Sequence, residues 1–223
     1  MNFAPYFYAT TSSYNPGEPT MQEAFQLRYN VYCLERQFLD PRKYPDGLET
    51  DSYDSESAHF VSHNHSGELV GYSRLIAPDF SGRFPWQEFC SEVIDGVVLP
   101  PLGETAEISR LMVRHDYRRR RGDLLSGVER RSELRSPQIL LTLYQQMYRH
   151  SVAKGIRYWY AAMEQPLARS LQMMNFSFQR IGREVDYFGP VSPYFADLRV
   201  LEERLQQHNP GLLAWFQRPE SDS

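Results

Sequence analysis

Three carboxylates fall within six residues at Glu49-Thr-Asp51-Ser-Tyr53-Asp54. On an extended segment Glu49, Asp51 and Tyr53 point one way and Thr50, Ser52 and Asp54 the other, so the run presents acid to two surfaces. Taken alone, such a stretch reads as a solvated loop. Three isolated arginines, Arg28, Arg74 and Arg110, each stand among apolar neighbours elsewhere in the chain. A guanidinium group at a core-type position needs an acidic partner, and the arginines match Asp51 and Asp54 closely enough to predict a partly buried ion cluster. Glu107 is a further carboxylate, on the same apolar run as Arg110. Other chemistry is poorly supported: His63 and His65 form a His-x-His pair with no third ligand nearby, so no metal site is expected. Cys33 and Cys90 sit in unrelated contexts and predict a reducing compartment rather than a disulfide scaffold.

Periodicity places these residues on elements. Thr20-Met-Gln-Glu23 reads as a capping box, and at about 100° per residue Met21, Phe25, Arg28 and Tyr32 share one helical face. Ala58 to His63, a turn at Asn64 to Gly67, and Glu68 to Ala77 form a hairpin pattern with Val70, Tyr72, Arg74 and Ile76 on one face. Thr105 to Val113 reads as a strand, on which simple alternation sends Glu107 and Arg110 to opposite faces unless a bulge intervenes. Phe84, Trp86 and Phe89 are expected to pack as a small aromatic cluster. A helix from Ser136-Pro137 to Gly155, an apolar strand Ile156–Met163, a helix Pro166–Met174, a strand Phe178–Phe188, a turn Gly189–Pro193 and a helix near Leu198–Gln207 complete the reading. This order predicts a mixed α/β fold with a central sheet flanked by helices. One domain spans 1–223, with an irregular extension over 1–19, an arginine-rich loop at 114–136 and a frayed tail at 220–223.

Composition limits the function. The 223 residues carry 24 Lys and Arg against 28 Asp and Glu, a net charge of -4 that argues against nucleic-acid binding. No apolar run approaches the ~20 residues of a membrane span, so a soluble cytoplasmic protein without membrane insertion is expected. The local exception is residues 114–135, with eight arginines against four acids, including Arg118, Arg119, Arg120 and Arg121. Such a patch suits docking of an anionic partner.

Arg28 with Tyr32, the Glu49–Asp54 element, Arg74 and Glu107-Ile-Ser109-Arg110-Leu111-Met-Val113 together resemble, in order and spacing, the acyl-homoserine-lactone autoinducer synthases of the N-acetyltransferase-like superfamily. Four separated elements in order are more specific than any one motif, and the match covers roughly residues 20 to 190. The chain departs from the pattern at Tyr32 and Leu111, which replace phenylalanines, and at Phe38, which replaces a tryptophan. Arg119-Arg-Arg-Gly122 is partly similar to an acetyltransferase pyrophosphate loop, but Asp123-Leu124 breaks it. Leu34-Glu-Arg-Gln-Phe38, Glu49 to Asp54 and Gly189-x-x-x-Pro193-Tyr194 also look similar to the acyltransferases associated with PEP-CTERM/exosortase sorting, relatives of long-chain N-acyl amino acid synthases.

The second resemblance is the closer one, and it implies the main expectation: acyl transfer from acyl carrier protein to the amino group of an amino acid, giving an N-acyl amino acid. The first implies acyl-homoserine-lactone synthesis with S-adenosylmethionine as acceptor. A non-catalytic module that binds acyl carrier protein is the third alternative. On either enzymatic reading Glu107 is the expected general base, and backbone N–H groups near Met112 and Val113 meet the oxyanion. Arg28, Tyr32, Asp51, Asp54, Arg74 and Arg110 line the acceptor side. There an arginine would pair with the acceptor carboxylate and an aspartate would attract its ammonium. Phe84, Phe89 and Met147 are candidates for an acyl slot, and Arg118 to Arg121 for carrier docking. No tightly bound cofactor is implied; the donor is the acyl-phosphopantetheine of acyl carrier protein, or acyl-CoA.

Overall fold

Proline at the first turn of a helix wastes no hydrogen bond, and the first helix, α1 (Pro19–Tyr29), starts on one: Glu18 occupies the N-cap without a side-chain bond. The expected capping box is therefore not used, and Thr20 and Glu23 lie inside the helix. The buried face carries Met21, Ala24, Phe25, Leu27 and Arg28, as the periodicity predicts. The helix continues into a π-helical turn, Asn30–Glu35, which holds Tyr32.

The computed structural model describes residues 3–78, 82–90, 92–118 and 135–219. These fall into two compact units, Asn2–Arg74 with Arg110–Met147, and Leu75–Ser109 with Tyr148–Ser223. The fold class is mixed α/β as expected, with sheet flanked by helices.

In the first unit, β1 (Phe7–Ser12) pairs antiparallel with β2 (Ser57–Asn64), from Phe7 opposite Asn64 to Ser12 opposite His59. The N-terminal extension is thus a strand, not irregular. Its prolines and Gly17 lie outside Phe7–Ser12, leaving an aromatic and threonine run that buries Phe7 and Ala9 on alternate positions. β2 turns into β3 (Leu69–Ile76) through Asn64–Gly67, where the Asn64 side chain accepts from the Ser66 and Glu68 N–H groups. All eight residues of β3 are buried. Ala24, Leu27, Val31, Val61, Leu69, Tyr72 and Met112 form the core of this unit. The first part of α3 (Arg135–Lys154) packs here: Thr142 and Ser62 hydroxyls lie 2.9 Å apart, and Gln146 donates to the Ala9 carbonyl at 2.9 Å. α3 ends before Gly155, which takes the left-handed φ of 71° expected of a helix-closing glycine.

In the second unit, the first residues of β4 (Thr105–Val113) pair parallel with β5 (Tyr158–Met163), from Thr105 opposite Tyr158 to Ile108 opposite Ala161. β5 pairs along its length with antiparallel β8 (Pro190–Asp197). The strand expected over Phe178–Phe188 is instead two short pieces, β6 (Gln179–Arg180) and β7 (Val185–Asp186), both paired with β8. β8 itself corrects the turn expected at Gly189–Pro193: Pro190 and Pro193 read as turn residues, but sit within a paired strand. α4 (Gln165–Met173), α5 (Leu198–His208) and α6 (Pro210–Phe216) follow the expected order, with α6 unforeseen; Asn209 caps it by accepting the Leu212 N–H. The short helix α2 (Trp86–Phe89) lies in the same unit, and Phe84, Trp86, Cys90, Tyr160 and Ile181 form its core. Phe89 departs from the expected aromatic cluster. It is 46% exposed and stacks on Tyr187 at 3.7 Å.

Candidate active site

The sequence pattern puts Arg28 on the buried stripe of α1 and Arg74 on the buried strand β3; the first unit brings both onto the acidic segment. Arg28 Nε donates to Glu49 Oε2 and Nη1 to Asp54 Oδ1, each at 2.5 Å. Arg74 Nη1 reaches the same Asp54 oxygen at 2.5 Å and, with Nη2, grips both Asp51 oxygens at 2.6 Å. Arg110 Nη2 donates to Glu49 at 2.9 Å and to Asp51 at 3.1 Å. Three guanidinium groups therefore meet three carboxylates. Arg28, Glu49 and Asp54 have no exposed surface and Arg74 has 1%, while Asp51 keeps 22% of its side chain in solvent.

The segment reaches this arrangement by folding, not by alternation. Asp54 Oδ2 accepts the Asp51 N–H at 2.8 Å and Asp51 Oδ1 accepts the Tyr53 N–H at 3.0 Å, a local turn that leads into a 3-10 turn at Asp54–Glu56. The turn brings Asp54 to the arginines that Glu49 and Asp51 also face, so the expected division between two surfaces is corrected. Glu49, absent from the predicted site residues although it opens the same motif, is a full member of the cluster. His59 and Tyr72 were also missed and border it; their hydrogen-bonding capacity was visible in their types, but not their partners.

Charge pairing overcomes the cost of burial here. Burial pushes the Glu49 carboxyl up, but Arg110 and Arg28 outweigh it and hold it below the usual carboxylate range. Asp51, also opposed by burial, is drawn down to about 2 by Arg74, Arg110 and Arg28. Burial works against the Arg28 charge, which Tyr72, Glu49 and Asp54 restore and raise; burial likewise opposes Arg110, which Tyr32 and Glu49 raise. The Arg110 guanidinium also lies 4.5 Å from the Tyr32 ring centroid, the attractive face for a cation. Arg110 has φ 55°, a left-handed conformation that costs a non-glycine residue about 1–3 kcal/mol and clusters at functional sites. Regular strand alternation is thereby interrupted at Arg110.

Glu107 belongs to the second unit. It is 5% exposed, and its Oε2 accepts the Trp86 backbone N–H at 3.0 Å, from the start of α2. It stands opposite Tyr160 in the β4–β5 register. Met112 lies in the core of the first unit and Val113 is buried. Of the three predicted acyl-slot residues, two lie in the second unit, where they occupy different surroundings, and one lies in the first. Phe84 is in the core of the second unit, Phe89 is on the surface against Tyr187, and Met147 is buried in the first unit with its sulfur 3.4 Å from the Ser73 hydroxyl. Of the predicted docking arginines, Arg118 pairs with Glu35; Arg119, Arg120 and Arg121 lie outside the described residues. Arg114 is bound by Asp116 at 2.8 Å. Among the described residues no group of three or more His, Cys, Asp or Glu is arranged to hold a metal, and no helix is long and apolar enough to cross a membrane.

The model of the acetyltransferase (GNAT) domain matches residues 27–127, a span that includes the whole ion cluster and Glu107. An acyl-homoserine-lactone synthase of Vibrio anguillarum is 25% identical over 158 residues, which cover 70% of this chain and 74% of that protein. The chain is similar in sequence to an acyl-homoserine-lactone synthase and shares the N-acetyltransferase-like fold of the solved ones. Among solved structures, TofI in a ternary complex with an inhibitor and MTA is similar with a TM-score of 0.63 and 15% identity, over 93% of this chain and 99% of that one. BjaI, a CoA-dependent acyl-homoserine lactone synthase with SAM and isopentyl-CoA, has a TM-score of 0.60 at 21% identity, over 91% and 88% of the two chains. The relatives are acyltransferases, so the homology places this chain among enzymes of acyl transfer. The comparisons support the autoinducer synthases, the alternative reading of the sequence, better than the N-acyl amino acid synthases of the main expectation.

Proposed function

We propose that the chain joins an acyl thioester to the amino group of S-adenosylmethionine and releases an acyl-homoserine lactone. The observation that carries this reading is the closed cluster of Arg28, Arg74 and Arg110 with Glu49, Asp51 and Asp54. Because each arginine is already engaged by carboxylates, an acceptor's own carboxylate would compete with Glu49, Asp51 or Asp54 for the guanidinium donors. Asp51, the one carboxylate of the three in contact with solvent, stays ionised far into acid and offers negative charge outward. Such a wall favours a cationic acceptor. S-adenosylmethionine carries ammonium and sulfonium charges against one carboxylate, whereas a neutral amino acid is a zwitterion without net charge. This preference, together with homology to a lactone synthase, supports the lactone reading over an N-acyl amino acid product.

The reaction then follows from the groups assigned. Glu107 takes a proton from the acceptor ammonium, directly or through water, and the free amine attacks the thioester carbonyl. Backbone N–H groups near Met112 and Val113 are assigned to the resulting oxyanion. Collapse expels the thiolate, which takes up a proton, and leaves the amide. Attack of the carboxylate oxygen on the carbon bearing the sulfonium closes the lactone and expels methylthioadenosine. The donor's carrier is acyl carrier protein, a choice supported by the arginine-rich run between 114 and 135.

Mass spectrometry of lipids from cells expressing the protein tests both product and base. Acyl-homoserine lactones are expected from the unaltered chain. The Glu107→Gln variant, whose amide oxygen still accepts the Trp86 N–H, is expected to lose about 10²- to 10⁴-fold in rate. A variant of undiminished rate would remove Glu107 as the base, and N-acyl amino acids as the sole product would replace the acceptor.

A further inference from the structure

His59 lies on β2 with no exposed surface, and both its ring nitrogens are engaged. Nε2 stands 2.8 Å from the Asp54 carbonyl oxygen and Nδ1 stands 2.7 Å from the Tyr72 hydroxyl. A carbonyl only accepts, so Nε2 carries the proton. In a neutral ring Nδ1 is then an acceptor, and the Tyr72 hydroxyl must donate to it. This fixes two things at once. The Asp54 main chain is held from behind the carboxylate that ties Arg28 to Arg74. The single Tyr72 proton is committed to His59, which leaves the phenolic oxygen only lone pairs to turn elsewhere, with the Arg28 guanidinium 5.7 Å from the Tyr72 ring centroid.

We propose that His59 is a positioning residue for the ion cluster, and that the cluster keeps its acceptor-binding geometry only while the His59 ring is neutral with its proton on Nε2. Protonation would turn Nδ1 into a donor to the Tyr72 oxygen, so that the Tyr72 proton must leave His59 for another acceptor, and would add a buried cation beside Arg28 and Arg74. The groups that bear on the ring come from four directions: Tyr14, stacked on it at 5.7 Å; Tyr72 of β3; Asp54; and the Arg28 and Arg74 charges. Burial favours the neutral ring and the two arginines reinforce it, while the Asp54 carbonyl and carboxylate oppose them; the balance holds the His59 pKa below its ordinary value. The role rests on the acyl-transfer reading above, because it is defined by acceptor binding.

Two measurements on the whole protein decide it. Nitrogen-15 NMR of the imidazole is expected to show the Nε2–H tautomer, and an Nδ1–H tautomer would overturn the assignment. In steady-state assays with an acyl thioester and S-adenosylmethionine, His59→Phe, which removes both hydrogen bonds, is expected to raise KM for the acceptor about ten-fold with KM for the donor unchanged. His59→Gln keeps a neutral donor in place of Nε2–H and is expected to recover part of that loss. The unaltered protein is expected to lose acceptor affinity on acidification through protonation of His59, and His59→Gln is expected to flatten that fall. Normal acceptor KM in His59→Phe, or the same acid limb in His59→Gln, would overturn the role of His59 alone. An unaltered protein that forms no amide with any acceptor would overturn the functional reading together with that role.

Discussion

Asp54 uses both oxygens structurally: Oδ1 accepts from Arg28 and Arg74, and Oδ2 from the Asp51 N–H. Its removal takes one carboxylate from each of two buried guanidinium groups, leaving Arg28 to Glu49 and Arg74 to Asp51. Removing one partner of a buried pair costs about 3–5 kcal/mol, so Asp54→Ala is expected to lower the unfolding free energy by about that much, read as a lower urea midpoint with unchanged slope. Removing the carboxylate of the half-exposed Asp40, whose partner Arg42 is 89% exposed, is expected to move the midpoint much less. Acid should act on the same cluster. Asp51 and Glu49 have folded pKa values below their unfolded ones, so their contribution is complete above the ordinary carboxylate range and is lost as pH falls. For Asp51 the window runs from 3.8 down to about 2, and the loss amounts to about 2 kcal/mol. Stability measured against pH between 5 and 2 checks the sign; a flat profile would contradict it. At this scale the sequence was informative about the arginines, because a cation on an apolar stripe is visible in periodicity. It was not informative about which carboxylate each would meet, since that depends on the turn from Asp51 to Asp54.

Strand and helix placement was legible wherever the periodicity ran without interruption. α1, the β2–β3 hairpin, α3 and β5 stand near their expected positions because each buries one regular face. β8 was hidden by Pro190 and Pro193, and β1 by the prolines and glycine around it; pairing with a neighbouring strand overrode local turn propensity in both. The left-handed Arg110 in β4 was equally invisible, because nothing in residue type marks it. Close packing between elements gives a prediction of its own. A Cβ added to Gly71 of β3 would stand 2.6 Å from Ile139 and 3.3 Å from both Leu143 and the Met112 carbonyl oxygen. Gly71→Ala is therefore expected to destabilise the fold by about 1–3 kcal/mol, measured as a lowered thermal midpoint. Addition of a methyl group at Gly67, where no atom lies within 4 Å, would test φ strain without the clash.

For the molecule as a whole, fold and acyl-transfer chemistry were readable from four motifs in order, and the homology to lactone synthases agrees with them. The acceptor was not readable, because the expected cluster of Arg28, Arg74 and Arg110 with Asp51 and Asp54 left one arginine to a substrate carboxylate, and Glu49 was not counted among its partners. With the three arginines bound by Glu49, Asp51 and Asp54, the acceptor we propose is a cationic one. The most direct measurement supplies the purified protein with a fatty acyl thioester on acyl carrier protein and, in parallel, either S-adenosylmethionine or free amino acids, and follows products by mass spectrometry. Acyl-homoserine lactone and an equal amount of methylthioadenosine are the predicted result. N-acyl amino acids formed with no methylthioadenosine released from S-adenosylmethionine would contradict it.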